Sequence, residues 1–154
     1  MSDALQDHYP DDFAHCYGCG RLNSAGLHVR SIPEGDEMVA RFTPRPEHMA
    51  VPGFVYGGLL ASLADCHAMG TASAAALRAS GHAIGEAPSP RFVTASLHLD
   101  YLRPTPLGDE LEIRARAVEV GERKVRVQGT VSVNGVVTVK SEALAVRMPD
   151  TMRR

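Results

Sequence analysis

Residues 56–79 read YGGLLASLADCHAMGTASAAALRA, and this stretch decides the fold. From Leu59 to Ala79 it is rich in alanine, the strongest helix former, and Gly81 stands where a helix would stop. On a helical wheel Leu59, Leu63, Gly70, Ala74 and Leu77 share one stripe, with Leu60 and His67 at its flank. Gly70 marks either a weak point or a close helix approach. Working outward, residues 81–90 read as a loop, after which the helical period gives way to alternation. Val93, Ala95, Leu97, Leu99 and Tyr101 alternate with Thr94, Ser96, His98, Asp100 and Leu102. Leu111 to Ala117 and Val125 to Val133 repeat the pattern, Asn134-Gly135 is a hairpin turn, and Val136 to Met148 returns as a fourth strand. On the other side of the helix, Leu27–Ile32 and Met38–Phe42 read as short strands joined through the turn Pro33-Glu34-Gly35-Asp36.

Two short strands, one long helix and four consecutive antiparallel strands predict an α+β domain. A meander with one polar face must cover its other face, and only the helix is available to do so. The economical arrangement is an antiparallel sheet wrapped around one long central helix. Residues 1–26 read as a lead-in segment, 27–149 as a single domain and 150–154 as a tail.

Composition narrows the function classes. A chain of 154 residues fits one domain, and 44% apolar with 22% charged residues is globular. A formal charge of −2 with scattered basic residues argues against nucleic-acid binding. No apolar run is long enough to span a membrane. Met1 to Pro10 is acidic and polar, without a signal-peptide layout, so a cytoplasmic location is expected. Three cysteines, an odd number, do not suggest a secreted disulfide framework. With four Phe, four Tyr and no Trp, the core rests on Val, Leu and Ala, and such cores often need a partner surface.

Two features of the helix carry chemistry. Asp65 has Ala61, Ser62, Ala68 and Met69 at three and four positions' distance, and no Lys or Arg within helical reach. Either it faces solvent, or something outside the helix uses its charge. Gly57-Gly58 stands at the helix start, where unpaired N–H groups and the positive end of the helix dipole favour developing negative charge.

The run Tyr56-Gly57-Gly58-Leu59-Leu60-Ala61-Ser62-Leu63-Ala64-Asp65 resembles the His-Gly-Gly-x6-Asp signature of the hotdog-fold thioesterases of the phenylacetic-acid-pathway (PaaI-like) type. Cys16-Tyr17-Gly18-Cys19-Gly20, with Asn23 and Gly26-Leu27, resembles an amino-terminal segment of one branch of that family. Tyr101-Leu102-Arg103-Pro104 followed by Gly108-Asp109 is similar to the family's third-strand exit, so the resemblance spans residues 16–148. It implies a hotdog fold acting on an acyl-CoA without a cofactor. The Gly57 amide would polarise the thioester carbonyl with Gly58 supporting, Asp65 would act as base or nucleophile, and Thr94 would position water. Tyr56 and Gly58 would touch substrate. The sequence departs from the signature at Tyr56, where the family has His.

Gly57 and Asp65 stand eight residues apart, about 12 Å along a helix axis. One helix can hardly present both to one carbonyl, so the Gly57 amide of one subunit is expected to face Asp65 of another, in a homodimer or a dimer of dimers. Two alternatives remain. One is a non-catalytic acyl-thioester-binding hotdog protein; the other, ranked lower, is a hotdog hydratase, whose Asp–His spacing Asp65-Cys66-His67 does not match. Cys16-x2-Cys19 is half of a zinc site. His15, Cys66 or His67 could complete it, but without a second Cys-x2-Cys no metal is expected. His67 reads as a core residue, His98 as solvated and His48 as a loop residue near the substrate approach.

Overall fold

The computed structural model describes residues 3–153. Six antiparallel strands form one sheet: β1 (Ile32–Glu34), β2 (Glu37–Phe42), β3 (Phe92–Tyr101), β4 (Leu111–Val120), β5 (Lys124–Val133) and β6 (Val136–Arg147). A single α-helix, α1 (Gly57–Ala79), lies against the sheet. This is the expected α+β hotdog architecture, with the helix starting two residues before Leu59.

The strand order β1-β2-β4-β5-β6-β3 corrects the expected run of four sequential neighbours. Only β4, β5 and β6 form a meander. β2 already occupies the free edge of β4, with Met38 opposite Ala115 and Phe42 opposite Leu111. β3 therefore crosses to the far edge and pairs with β6. The first hairpin is also displaced. Its turn is Gly35-Asp36, with Gly35 at φ 64°, so Pro33 and Glu34 belong to β1. Proline on this short edge strand leaves no interior ladder bond unmade. Leu27 to Arg30, expected as strand, lies outside the sheet because His28 takes a left-handed conformation (φ 55°). Leu27 and Val29 instead donate N–H to the carbonyls of Tyr17 and Gly18, at 2.8 and 2.9 Å.

Helix α1 is buried on more than its predicted stripe. Ala68, Ala72 and Ala76 pack with Phe92, Val125, Val127, Ala143 and Ala145, while Leu59, Leu60 and Leu63 pack with Leu111, Ile113, Val131 and Val139. Small side chains let the helix sit close to the sheet, and the valines and leucines fill the space between. On another side the amino-terminal segment covers it, with Leu5 and Tyr9 against Ala74 and Leu77. A Cβ on Gly70 would stand 2.9 Å from the Ser31 hydroxyl and 3.1 Å from the Gln6 amide nitrogen. The close approach at Gly70 is thus by the amino-terminal segment, not by another helix.

His67 is wholly buried beside this contact. Its Nε2–H donates to the Met38 carbonyl at 2.9 Å, and its Nδ1 accepts from Ser31 at 2.8 Å. Gln6 donates to the same Ser31 hydroxyl and accepts from the Ser31 N–H. His67 is therefore a hydrogen-bonded core residue. Burial, only partly offset by the Met38 carbonyl, lowers its pKa to about 4. The unfolded chain takes up a proton on this ring near its ordinary pKa of 6.5, the folded chain only near 4. Stability is therefore complete above pH 6.5 and declines as pH falls toward 4, by about 2–3 kcal/mol at pH 4.5. Urea denaturation at pH 7 and pH 4.5 should show this loss, and His67→Gln should remove most of the difference. An equal pH dependence in His67→Gln would show that other groups cause it.

Candidate active site

The start of α1 is held in place by the crossover between β3 and β4. Val55 donates its N–H to the Thr105 carbonyl (2.9 Å), Leu107 to that of Gly53 (2.9 Å), and Tyr56 to that of His48 (2.8 Å). The Thr105 hydroxyl in turn donates to Thr138 at 2.7 Å, both side chains being buried. Thr138 is the extra residue of a bulge in β6, between Val137 and Val139, which turns its side chain toward the crossover.

Tyr56 is the residue before the first helical turn, and its carbonyl accepts from Leu59 and Leu60. It has no capping side chain, so the amides of Gly57 and Gly58 are among those a helix start leaves unpaired. The Tyr101 hydroxyl donates to the Gly57 carbonyl at 2.8 Å. Burial, with Tyr56 nearby, raises the Tyr101 pKa, so it stays a donor at neutral pH. A Cβ on Gly57 would lie 3.5 Å from the Tyr101 ring, an ordinary contact, whereas one on Gly58 would lie 2.5 Å from the Tyr56 ring. The Tyr56 ring thus rests across Gly58 and is otherwise 58% exposed.

Two turns further on, Asp65 is half-buried, and the Thr94 hydroxyl donates to its Oδ1 at 2.5 Å. Strict alternation places Thr94 on the face opposite Leu97, Leu99 and Tyr101, which point toward the helix. A bulge resolves the conflict. Thr94 pairs with Ala145 and Ser96 with Leu144, leaving Ala95 without a partner. The extra residue moves the strand by one, so Phe92 and Thr94 before it and Leu97, Leu99 and Tyr101 after it all face α1.

The structure therefore joins Thr94 to Asp65 and gathers Tyr56, Gly58 and Tyr101 around Gly57. It does not bring Gly57 to Asp65 within one chain, since both lie on one straight element about 12 Å apart. Between them Gly58, Ala61, Ser62, Asp65 and Met69 form a stripe at helical spacing that the chain leaves partly open. Met49, Val51, Phe54 and Leu102, all large and exposed, lie beside its amino-terminal end. Tyr101 was not singled out by the sequence, where it reads as one more apolar strand residue. Its hydroxyl beside a helix-start glycine is the only signal. His48 lies in the approach loop; its Nδ1 accepts from the Arg45 N–H at 2.9 Å, and burial with Arg45 nearby lowers its pKa. One residue on from Asp65, the Cys66 sulfur lies within 4.8 Å of those of Cys16 and Cys19. Among the described residues no helix is long and apolar enough to cross a membrane.

The model of the thioesterase superfamily matches residues 52–140. A thioesterase superfamily protein from Shewanella loihica is 43% identical, over 90% of this chain and 98% of its own, with a TM-score of 0.69. Two more distant structures share the fold. The PaaI protein of the Escherichia coli phenylacetic acid degradation operon is 18% identical, over 80% of this chain and 81% of its own, with a TM-score of 0.64. The smu.793 protein of Streptococcus mutans, solved with acetyl CoA, is also 18% identical, over 83% of this chain and 96% of its own, with a TM-score of 0.62. No curated protein matches the chain.

The Tyr101 contact is directly testable. Tyr101→Phe deletes the only side-chain donor given to the Gly57 carbonyl and should lower unfolding stability by about 0.5–1 kcal/mol. Tyr56→Phe removes a hydroxyl without such a bond and should be nearly neutral. Chemical denaturation of the two variants distinguishes them, and equal stabilities would mean the Tyr101 bond contributes nothing.

Proposed function

The chain belongs to the thioesterase superfamily, and from that premise we propose that it hydrolyses an acyl-CoA thioester, with Asp65 as the reactive carboxylate. The observation that carries this reading is the hydrogen bond from Thr94 to Asp65, on the one helix stripe the chain leaves partly open. A structural carboxylate would be expected to pair with a cation or to face bulk water. Among the described residues the Asp65 side chain has no ion pair, and on this partly open stripe a strand bulge aims a hydroxyl at it.

With Thr94 occupying Oδ1, Oδ2 is free to accept a proton from water. The water oxygen bonds to the thioester carbon and the carbonyl becomes an oxyanion. As the oxyanion re-forms the carbonyl the carbon–sulfur bond breaks, and the proton held by Asp65 passes to the leaving sulfur, giving the CoA thiol, the free acid and the restored carboxylate. An alternative first step is direct attack by the carboxylate, giving an anhydride that water opens. The oxyanion would lie against the Gly57 N–H at the positive end of α1, with Gly58 allowing close approach. Tyr56 would cover the acyl-CoA at this end. Support for a CoA thioester as substrate class comes from the Streptococcus mutans protein, whose structure holds acetyl CoA.

Gly57 and Asp65 meet only across two copies of the chain. β3 is ten residues long and pairs with β6 on one side only, leaving its outer edge open. A second copy adding its β3 to that edge would continue the sheet, cover the open stripe of α1 and bring each Gly57 toward the other subunit's Asp65. Catalysis would then require a homodimer, alone or within a dimer of dimers.

Thiol release from a panel of short, medium and aryl acyl-CoAs tests the activity. Asp65→Asn should lower kcat at least about 10³-fold with folding intact, and Thr94→Val about 10–10²-fold. Tight acyl-CoA binding without thiol release from the native protein would instead favour a binding module, the reading that Tyr56 in place of His supports. The subunit arrangement has its own test. Gly57→Pro removes the amide N–H at the first helical position, where proline is well tolerated, and a Cβ there meets only an ordinary contact. This variant should lose about 10²–10³-fold in kcat. Co-assembling Gly57→Pro with Asp65→Asn should restore about a quarter of native activity, because half the dimers hold one intact site. No recovery would place both groups in one chain and overturn the shared site.

A further inference from the structure

The amino-terminal segment reaches α1 through sulfur. Cys16 and Cys66 lie with their Sγ atoms 3.7 Å apart, and the three sulfurs of Cys16, Cys19 and Cys66 all lie within 4.8 Å of one another. A disulfide needs about 2.0 Å. Thiolates on a tetrahedral metal with bonds of about 2.3 Å stand about 3.8 Å apart. The turn that carries the first two is built for this spacing. In Cys16-Tyr17-Gly18-Cys19-Gly20 the Gly20 N–H closes onto the Cys16 carbonyl at 2.7 Å. A Cβ on Gly18 would fall 2.1 Å from the Cys66 sulfur, and one on Gly20 would fall 2.4 Å from the Cys16 nitrogen. Gly18 therefore leaves room for the sulfur cluster, and Gly20 for the close turn of its own backbone.

We propose that Cys16, Cys19 and Cys66 bind one zinc ion through three thiolates, with an exogenous fourth ligand, and that the ion fastens the amino-terminal segment to α1 beside Asp65. This departs from the expectation that no metal binds. The missing ligand comes from the helix, fifty positions from Cys16 in sequence. Zinc binds thiolates, so binding displaces to solvent whatever thiol protons the three sulfurs carry. Among the described residues no fourth Cys, His, Asp or Glu joins the group, and Cys16 is only half-buried, so the remaining position opens toward solvent. The inference stands apart from the proposed hydrolysis.

The test uses the full chain, purified under reducing, anaerobic conditions. Zinc analysis should give one ion per chain. Replacing zinc by cobalt(II) should produce the near-ultraviolet thiolate-to-cobalt absorption. Cys16→Ser and Cys66→Ala should each weaken metal binding at least about 100-fold while circular dichroism stays native. Fully reduced native protein that takes up less than about a tenth of an equivalent of zinc at a micromolar excess would overturn the proposal. So would cobalt spectra unchanged by Cys66→Ala, or a Cys16–Cys66 disulfide formed in preference to metal binding.

Discussion

The structure depends on burying a helix that has no polar side. The leucines of α1, the alanines Ala64, Ala68, Ala72, Ala74 and Ala76, and His67, Thr71 and Ser73 are buried, and they point in many directions around its axis. A sheet can cover only one face, so the helix must find cover from other segments as well. The antiparallel sheet supplies the first wall. The segment from Ala4 to Ser31 supplies the second, held by apolar contacts of Leu5 and Tyr9 and by the linked hydrogen bonds of Gln6, Ser31 and His67. Gly70 is where this second wall comes closest. The one strip without a wall, from Gly58 through Ala61, Ser62 and Asp65 to Met69, is where the carboxylate stands.

Much of this was legible in the sequence, and the parts that were not share a cause. Periodicity located α1 and the four long strands because each pattern is local to its element. Asn134-Gly135 located the last hairpin because its left-handed turn (φ 49° and 79°) favours those residues. What local pattern cannot carry is which edges meet. That β3 pairs with β6 follows from β2 having taken the edge of β4, a pairing between segments whose partners Phe42 and Leu111 are 69 positions apart. The same limit hid the role of Leu27 and Val29, which alternate like a strand but pair with the turn around Tyr17.

The candidate site divides in the same way. Gly57, Gly58 and Asp65 were found because they lie on one continuous stretch. Thr94 was found by counting back along β3 as though the strand had no irregularity. Strict alternation would have turned it away from the helix; the bulge at Ala95 restores it. A single unpaired alanine thus decides whether a hydroxyl reaches the carboxylate or the outer face of the sheet. The sequence offered Cys66 beside His15 and His67 as a companion of Cys16 and Cys19, and only the packing of the amino-terminal segment on α1 selects it by bringing the three sulfurs together.

Asp65 and Cys66 are adjacent, so their side chains leave the helix about 100° apart, one toward β3 and the other toward the amino-terminal segment. Any shift of α1 along its axis moves both together. The Thr94 hydroxyl and the sulfur cluster therefore constrain the same turn from two sides, while Tyr101 and Thr105 constrain the helix start. Such bracing would suit the role proposed for Asp65, because a reactive group inherits every looseness of its own support. Neighbouring residues of one helical turn are thus tied to two separate parts of the fold, Asp65 to β3 and Cys66 to the amino-terminal segment.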